Sequence, residues 1–333
     1  MNRREKIVFM CNLDGKGLEI GPSIRPIVPK RDGYNVETID HAEKKDLQEK
    51  YLAHGHDVEG IEDVDYIWSG QSYTELTGKR NYYDYIIASH VIEHTCDLIG
   101  FLCDCSNILN DNGILSLAIP DKRFCYDYLR PTTSISRVIE NHIKPGTVHT
   151  PGTIYEHTSN ACSSDGNISW TYLDLPVDVN PIHNLDEAIR MYNKSLKQDE
   201  YIDAHNWIFT KSSFELLIYD LNCLELLDLQ ITKSFETEEN EFFISMRKRK
   251  EDFIPNDEAR IKLAINTLNE CGIANQNRDL TKQIDALKDE ITKLQEEITE
   301  IFNSNTWKTG KKIQKVYRSI IPSKQIGGKT TQC

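Results

Sequence analysis

The sequence predicts an α/β fold: an open, mostly parallel sheet closed by an antiparallel edge pair, with a C-terminal coiled-coil helix. Three observations predict it. Short apolar runs near 17–20, 35–39, 64–68, 83–89 and 113–119 are each closed by Gly, Asp or Ser, as strands are. Helical stretches near 43–51 and 97–110 separate them, the second placing Leu98, Phe101, Leu102, Cys105, Ile108 and Leu109 at helical spacing. A capped helix start at Thr210-Lys211-Ser212-Ser213-Phe214-Glu215 precedes two further strand patterns, near 226–233 and 241–248, which read as a reversed edge pair.

The first strand, Gly17-Leu18-Glu19-Ile20, ends in the tight turn Gly21-Pro22-Ser23, and the second, Tyr34 to Asp40, ends in a carboxylate. Ligands of open parallel sheets sit at the carboxyl ends of the strands, and this pairing is the layout that binds a nucleoside. The turn lets backbone approach the ligand, and Asp40 takes the ribose hydroxyls. Pro22, Pro26 and Pro29 leave little room for a long helix between the two strands.

The third element narrows the ligand. Tyr83-Asp84-Tyr85-Ile86-Ile87-Ala88-Ser89-His90-Val91-Ile92-Glu93-His94, followed by Leu109-Asn110-Asp111-Asn112-Gly113 and the strand to Asp121, resembles the second half of a class I S-adenosylmethionine-dependent methyltransferase. The resemblance covers roughly residues 1–250. Through Gly21-Pro22-Ser23 and Ile119-Pro120-Asp121-Lys122-Arg123-Phe124 it leans toward the methyltransferases of bacterial surface-polysaccharide gene clusters. It implies a Rossmann-like methyltransferase sheet and S-adenosylmethionine as cofactor. It also implies that Glu19 orients the turn or accepts from the methionine ammonium, that Gly21, Pro22 and Ser23 present backbone to the cofactor, that His41 flanks the nucleoside, and that Ser89 and His90 lie beneath it.

Methyl transfer from a sulfonium asks for alignment, a water-poor site and a base when the acceptor is a hydroxyl. His90 is the leading base, because imidazole titrates near neutrality, and Asp121 is the second candidate. Lys122 and Arg123 suit an anionic acceptor such as a phosphorylated or uronic-acid-bearing glycan. Glu93 and His94 fall a helical turn farther from the crevice and read as a structural pair, and His205 reads as structural too. No metal site is expected: the nine cysteines include no Cys-x-x-Cys pair, and Cys103 and Cys105 are too close to chelate comfortably.

Residues 121–204 form a connection far longer than usual, punctuated by five prolines and dotted with aromatics and histidines, including Tyr126, His149, His157, Trp170 and Tyr172. An insertion there covers the crevice and suits acceptor recognition. A helical linker is expected over 251–272 and a coiled coil over 273–303, where Leu280, Ile284, Leu287, Ile291, Leu294, Ile298 and Ile301 alternate at four and three residues. That seam favours a parallel pair, hence a homodimer or a glycan-assembly partner. From 304 onward the tail is basic and amphipathic, interleaving Trp307, Ile313, Val316, Tyr317, Ile320 and Ile321 with seven Lys or Arg, Lys324 and Lys329 among them, and it suits an anionic membrane surface.

Net charge is -13 although that tail is purely basic, so the body is strongly acidic and repels nucleic acid. With 39% apolar residues, no run long enough to span a bilayer and no long apolar region after Met1–Lys6, the expected state is a cytoplasmic protein with reduced thiols, peripheral on the inner membrane face at most. The expected function is methylation of a hydroxyl or phosphate of a bacterial surface glycan or its precursor. The alternatives are an inactive scaffold acting through its coiled coil, and transfer of another group, such as aminopropyl, on the same fold.

Overall fold

The computed structural model describes residues 1–320 apart from 172–175, 177 and 198. The side chains of 273–282 and of residue 320 also lie outside the described set, and with them the expectations for Tyr172, Leu280, Ile320, Ile321, Lys324 and Lys329. The chain forms two compact units, dividing after Gln276.

In chain order the elements are α1 (Arg3–Ile7), β1 (Gly17–Ile20), β2 (Val36–Asp40), α2 (Lys44–Ala53), β3 (Tyr66–Ile67), α3 (Tyr73–Thr77), β4 (Tyr83–Ser89), α4 (Leu98–Ile108) and β5 (Leu109–Pro120). There follow α5 (Ile135–Ile143), α6 (Pro151–Asn160), β6 (Cys162–Ser163), β7 (Asn180–Pro181) and α7 (Leu185–Ser195). The last are α8 (Lys211–Cys223), β8 (Leu229–Glu238), β9 (Glu241–Lys248), α9 (Asp257–Asn303) and α10 (Asn305–Ile320). Seven strands form one sheet in the order β3-β2-β1-β4-β5-β9-β8. The first five run parallel, and β9 is antiparallel to both neighbours, β5 and β8. This is the Rossmann-like methyltransferase sheet that the sequence predicts. The third strand is shorter than its apolar run, only two residues on the sheet edge.

Alternation along the strands sends side chains to two faces. Leu18, Ile86, Leu115, Leu117, Phe242 and Ile244 pack with α4 and α8 in the larger core. Tyr85, Ile87, Ala118 and Phe243 face the other way, onto Ile7, Ile27, Val28 and Val36. The second face is therefore covered by α1 and by the Pro-rich segment, which holds only a single 3-10 turn, Lys30–Asp32, in place of a long helix. Glu19 fastens that cover. Its carboxylate has almost no exposed surface and accepts from Ile27 N (2.7 Å) and Val28 N (3.1 Å). Burial pushes its pKa up to about 7 against the lowering effect of those two amides.

Between β5 and α8 the described residues of the insertion form the 3-10 turn Lys122–Phe124, three α-helices and a two-residue strand pair, β6 with β7. The start of α9 is tied back to α8 by Arg260, bidentate on Asp220 (2.7 and 2.9 Å), and by Glu270, which accepts from Ser212 N and Oγ. The stretch expected as a linker is thus largely the opening of one helix continuing to Asn303. Along that helix Ile284, Leu287, Ile291, Leu294, Ile298 and Ile301 are each about half exposed.

Two predictions follow from this packing. A Cβ at Gly17 would collide with the buried Tyr85 ring at Cζ. Gly17→Ala is therefore expected to cost about 1–3 kcal/mol by urea denaturation, and an unchanged midpoint would contradict the close contact. The second concerns Glu19, whose folded-state pKa lies above its unfolded value, so the folded chain holds the proton more tightly. Its contribution to stability grows as pH falls from about 7 toward 4.5 and is lost as pH rises through 7. The stability difference between the native chain and Glu19→Gln should be larger at pH 5 than at pH 8, by about 1–3 kcal/mol; a difference independent of pH would refute it.

Candidate functional site

The register of β1 with both β2 and β4 brings the predicted residues to one edge. Ile20 pairs with Ile39 on one side and with Ala88 on the other, so Gly21, Asp40 and Ser89 leave the sheet together. Strand order reverses direction at β1 and β4, where crevices form in such sheets. Gly21 has φ +64°, its N–H donates to Ile39 O (2.8 Å), and a Cβ there would meet Val91 Cγ2 at 2.8 Å. Only glycine fits both the angle and the approach. Ser23, two residues on, also has positive φ, +48°.

Asp40 is buried, and one carboxylate oxygen is fully used: Oδ1 accepts from the His41 amide (2.7 Å) and lies 2.7 Å from His41 Nδ1. The other, Oδ2, is buried and has no hydrogen-bond partner. His41 thus orients Asp40 and leaves one acceptor unused, which is what a ribose hydroxyl requires. The cleft before Asp40, lined by Pro22, Ser23, Pro26, Thr38, Leu47, Ile61, Glu62 and Val64, measures about 10 Å³.

Four expectations need correction. Glu19 serves the turn, as one of its two expected roles had it, but its oxygens are taken by the Ile27 and Val28 amides and do not reach an ammonium. Asp121 has no exposed surface, and its carboxylate is held by Arg123 (2.6 and 2.9 Å) and Thr237 Oγ1 (2.7 Å), so it has no open face for a proton from an acceptor. Arg123 is consumed by the same pair. Lys122 Nζ donates to Tyr128 O (2.9 Å), and burial holds its pKa down, so neither cation presents itself to an anionic acceptor.

His90 stands at the predicted place, at the end of β4, but with positive φ, +54°, and between two carboxylates. Nε2 lies 2.8 Å from Glu241 Oε2 and Nδ1 3.5 Å from Glu93 Oε1. Burial lowers its pKa, but the Glu241 hydrogen bond and the two negative charges outweigh it and leave it raised. An imidazolium so held is an acid or a positive pole, not a ready base. Arg3 shares the network, bidentate on Glu241 (2.5 and 2.9 Å) and donating to Ser89 Oγ (2.8 Å). Glu241 and Arg3 escaped sequence reasoning. The signal was present in the reversed edge pair: a strand antiparallel to β5 must begin at the crevice edge, where Pro120 pairs with Glu241.

Behind the edge lies a polar interior built largely by the insertion. Asp127 receives Arg130 Nη1 (2.8 Å) and a hydrogen bond from His205 Nδ1. Tyr126 Oη lies 2.7 Å from His205 Nε2, and His94 Nδ1 lies 2.8 Å from Asp203 Oδ1. A cavity of about 440 Å³ opens beside it, lined by Cys96, Asn141, Lys144, His149, Thr150 and Asn206 among others. His149 contacts Tyr201 Oη (3.3 Å), which in turn donates to His94 O (3.3 Å). Asp127, Arg130 and Asp203 carried no sequence signal, being single polar residues in an irregular stretch.

No family model matches the chain, and no curated protein matches it. Solved structures similar to it include a protein from Rhodobacter sphaeroides described as a zinc-dependent alcohol dehydrogenase, at 13% identity and TM-score 0.41 over 74% of this chain and 90% of that one. The CcbJ methyltransferase from Streptomyces caelestis is 11% identical, with TM-score 0.39 over 74% and 88%. A SAM-dependent methyltransferase from Aquifex aeolicus is 11% identical, with TM-score 0.38 over 74% and 90%. At such scores the likeness assigns no activity or ligand to this chain, and the sheet order, register and edge residues carry the fold.

Proposed function

We propose that the chain is an S-adenosylmethionine-dependent methyltransferase acting on a hydroxyl or phosphate of a bacterial surface glycan or its precursor. The observation that carries the nucleoside part is the unpartnered, buried Asp40 Oδ2 beside the positive-φ turn at Gly21, at the point where strand order reverses. S-adenosylmethionine would supply an electrophilic methyl on a sulfonium. Asp40 would hold its ribose, the Gly21–Ser23 backbone would approach its methionine part, and the ion-paired edge of Arg3, Glu241 and His90 would fix the floor beneath. The 440 Å³ cavity of the insertion is of a size for a sugar-sized acceptor. The acceptor class rests on the resemblance of Ile119–Phe124 and Gly21–Ser23 alone.

One observation favours the second reading, an inactive scaffold. A nucleoside needs far more than the roughly 10 Å³ before Asp40, so its entry requires the 22–26 and 61–64 segments to part. Calorimetric titration separates the readings. An active enzyme binds S-adenosylmethionine and loses at least tenfold in affinity on Asp40→Ala, with melting unchanged, because charge-assisted hydrogen bonds are worth about 1.5–3 kcal/mol. No heat of binding to the native chain leaves the scaffold. Mass spectrometry of surface glycan from a deletion strain then reads the acceptor: loss of one methyl group supports the glycan, and an unaltered glycan removes it.

We further propose that the half-exposed seam from Ile284 to Ile301 pairs with a second copy, and that α10, with Trp307, Ile313, Val316 and Tyr317 exposed among its basic residues, rests on an anionic membrane surface. Among the described residues no helix is long and apolar enough to cross a membrane. Light scattering should give a dimer that Ile291→Lys with Ile298→Lys reduces to a monomer. Truncation at Asn305 should keep the dimer and abolish co-sedimentation with anionic vesicles. A monomeric native chain, or equal sedimentation of both chains, would overturn the respective part.

A further inference from the structure

Glu93 has no exposed surface, and neither of its carboxylate oxygens has a hydrogen-bond partner. A carboxylate so placed is costly by several kcal/mol unless positive charge stands beside it. The chain nevertheless fixes it there: Glu93 O accepts from Asn206 N (2.7 Å) and Trp207 N (3.2 Å), locking the segment after β4 to the one before α8.

Three imidazoles face the carboxylate: His90, with Nδ1 3.5 Å from Glu93 Oε1 and Nε2 engaged by Glu241, and two others. His94 Nε2 lies 3.9 Å and His205 Nε2 4.0 Å from Glu93 Oε1, and one ligand atom from each of Glu93, His94 and His205 falls within 4.8 Å of the others. Each of these two rings is oriented from behind by a carboxylate on its other nitrogen, Asp203 on His94 Nδ1 and Asp127 on His205 Nδ1. Those partners place the hydrogens on the Nδ1 atoms and turn both Nε2 lone pairs toward Glu93. Three acceptors therefore converge with two donors in reach, the Tyr126 hydroxyl on His205 Nε2 (2.7 Å) and His90 Nδ1, 3.5 Å from Glu93 Oε1. Arg130 Nη1 holds Asp127 in turn.

We propose that Glu93, His94 and His205 bind a divalent first-row transition-metal ion, of the Zn²⁺ or Fe²⁺ class. Two imidazoles and one carboxylate, each imidazole backed by a carboxylate, form the donor set and outer shell such ions take, whereas Mg²⁺ and Ca²⁺ prefer all-oxygen sets. Ligands at about 2.1 Å from an ion stand roughly 3.0–3.5 Å apart, so the three atoms close in by about an ångström and the Tyr126 hydroxyl yields its place on His205. Three protein ligands leave positions open, and the cavity lined by His149 lies one residue away through Tyr201. On the methyltransferase reading those positions receive a hydroxyl of the acceptor and favour its ionisation; the binding of the ion does not depend on that reading.

The test uses the untagged full chain, stripped with chelator and titrated with Zn²⁺, Co²⁺ and Mg²⁺. The expected result is one Zn²⁺ or Co²⁺ per chain, visible Co²⁺ ligand-field absorption, and no comparable uptake of Mg²⁺. His94→Ala and His205→Ala should each weaken Zn²⁺ binding at least a hundredfold. Asp203→Asn alters the exposed partner of His94, which also accepts from Tyr201 Oη (3.4 Å), keeps the fold by circular dichroism, and should weaken binding ten- to a hundredfold. A folded native chain that takes up no stoichiometric Zn²⁺ or Co²⁺, or equal affinity in the native, His205→Ala and Asp203→Asn chains, overturns the site. S-adenosylmethionine titrated into the same samples keeps the two readings apart: cofactor binding without metal uptake removes the metal site alone, and metal uptake without cofactor binding removes the methyltransferase reading alone.

Discussion

The parallel register that holds β1 between β2 and β4 is the constraint on which the rest of the molecule depends. Because Ile20 sits level with both Ile39 and Ala88, three strands end at one height, and a turn, a carboxylate and a serine are presented along a single edge. The register is kept by a close approach that leaves no room for a side chain at Gly17 under Tyr85. It is also kept by the cover that Glu19 fastens over the opposite face. In place of a long helix this cover uses α1 and a Pro-rich segment, so the same carboxylate that the fold would offer to a ligand is spent on structure.

The buried charges divide into two groups. Most are closed pairs: Asp121 with Arg123, Asp127 with Arg130 and His205, and Glu241 with Arg3 and His90. Such pairs fix positions, because breaking one partner strands the other in a poorly solvating interior. Two carboxylates stand apart. Asp40 keeps one oxygen without a hydrogen-bond partner at the edge of the sheet, and Glu93, ringed by His90, His94 and His205 at 3.5–4.0 Å, keeps both without one behind it. These two carboxylates are the ones on which the proposed nucleoside and metal sites rest.

Pairing also explains why the catalytic expectations moved. The sequence offers His90, Asp121, Lys122 and Arg123 for chemistry that needs free groups at the carboxyl ends of strands, and all four do lie there. His90 meets Glu241 and Asp121 meets Thr237 from distant parts of the chain, while Arg123 pairs with Asp121 two residues away and Lys122 with the Tyr128 carbonyl six residues away. Sequence position places a side chain near an edge; it does not say which neighbours arrive.

The sequence by itself determined the sheet. The strand runs, the capped start at Thr210, the late reversed hairpin and the Pro-rich replacement of the first helix are all local signals, because strand alternation, helix caps and proline act over a few residues. It also determined Asp40 and the Gly21 turn, since each closes a strand whose ending is written locally. Only the tertiary structure decided that Glu241 and Arg3 meet His90, that an insertion with little local pattern supplies Asp127 and Arg130, and that His205 comes to Glu93 and His94 from more than a hundred residues away. Burial and pairing of ionisable groups depend on which segments the fold stacks together, and that information belongs to no single stretch of chain.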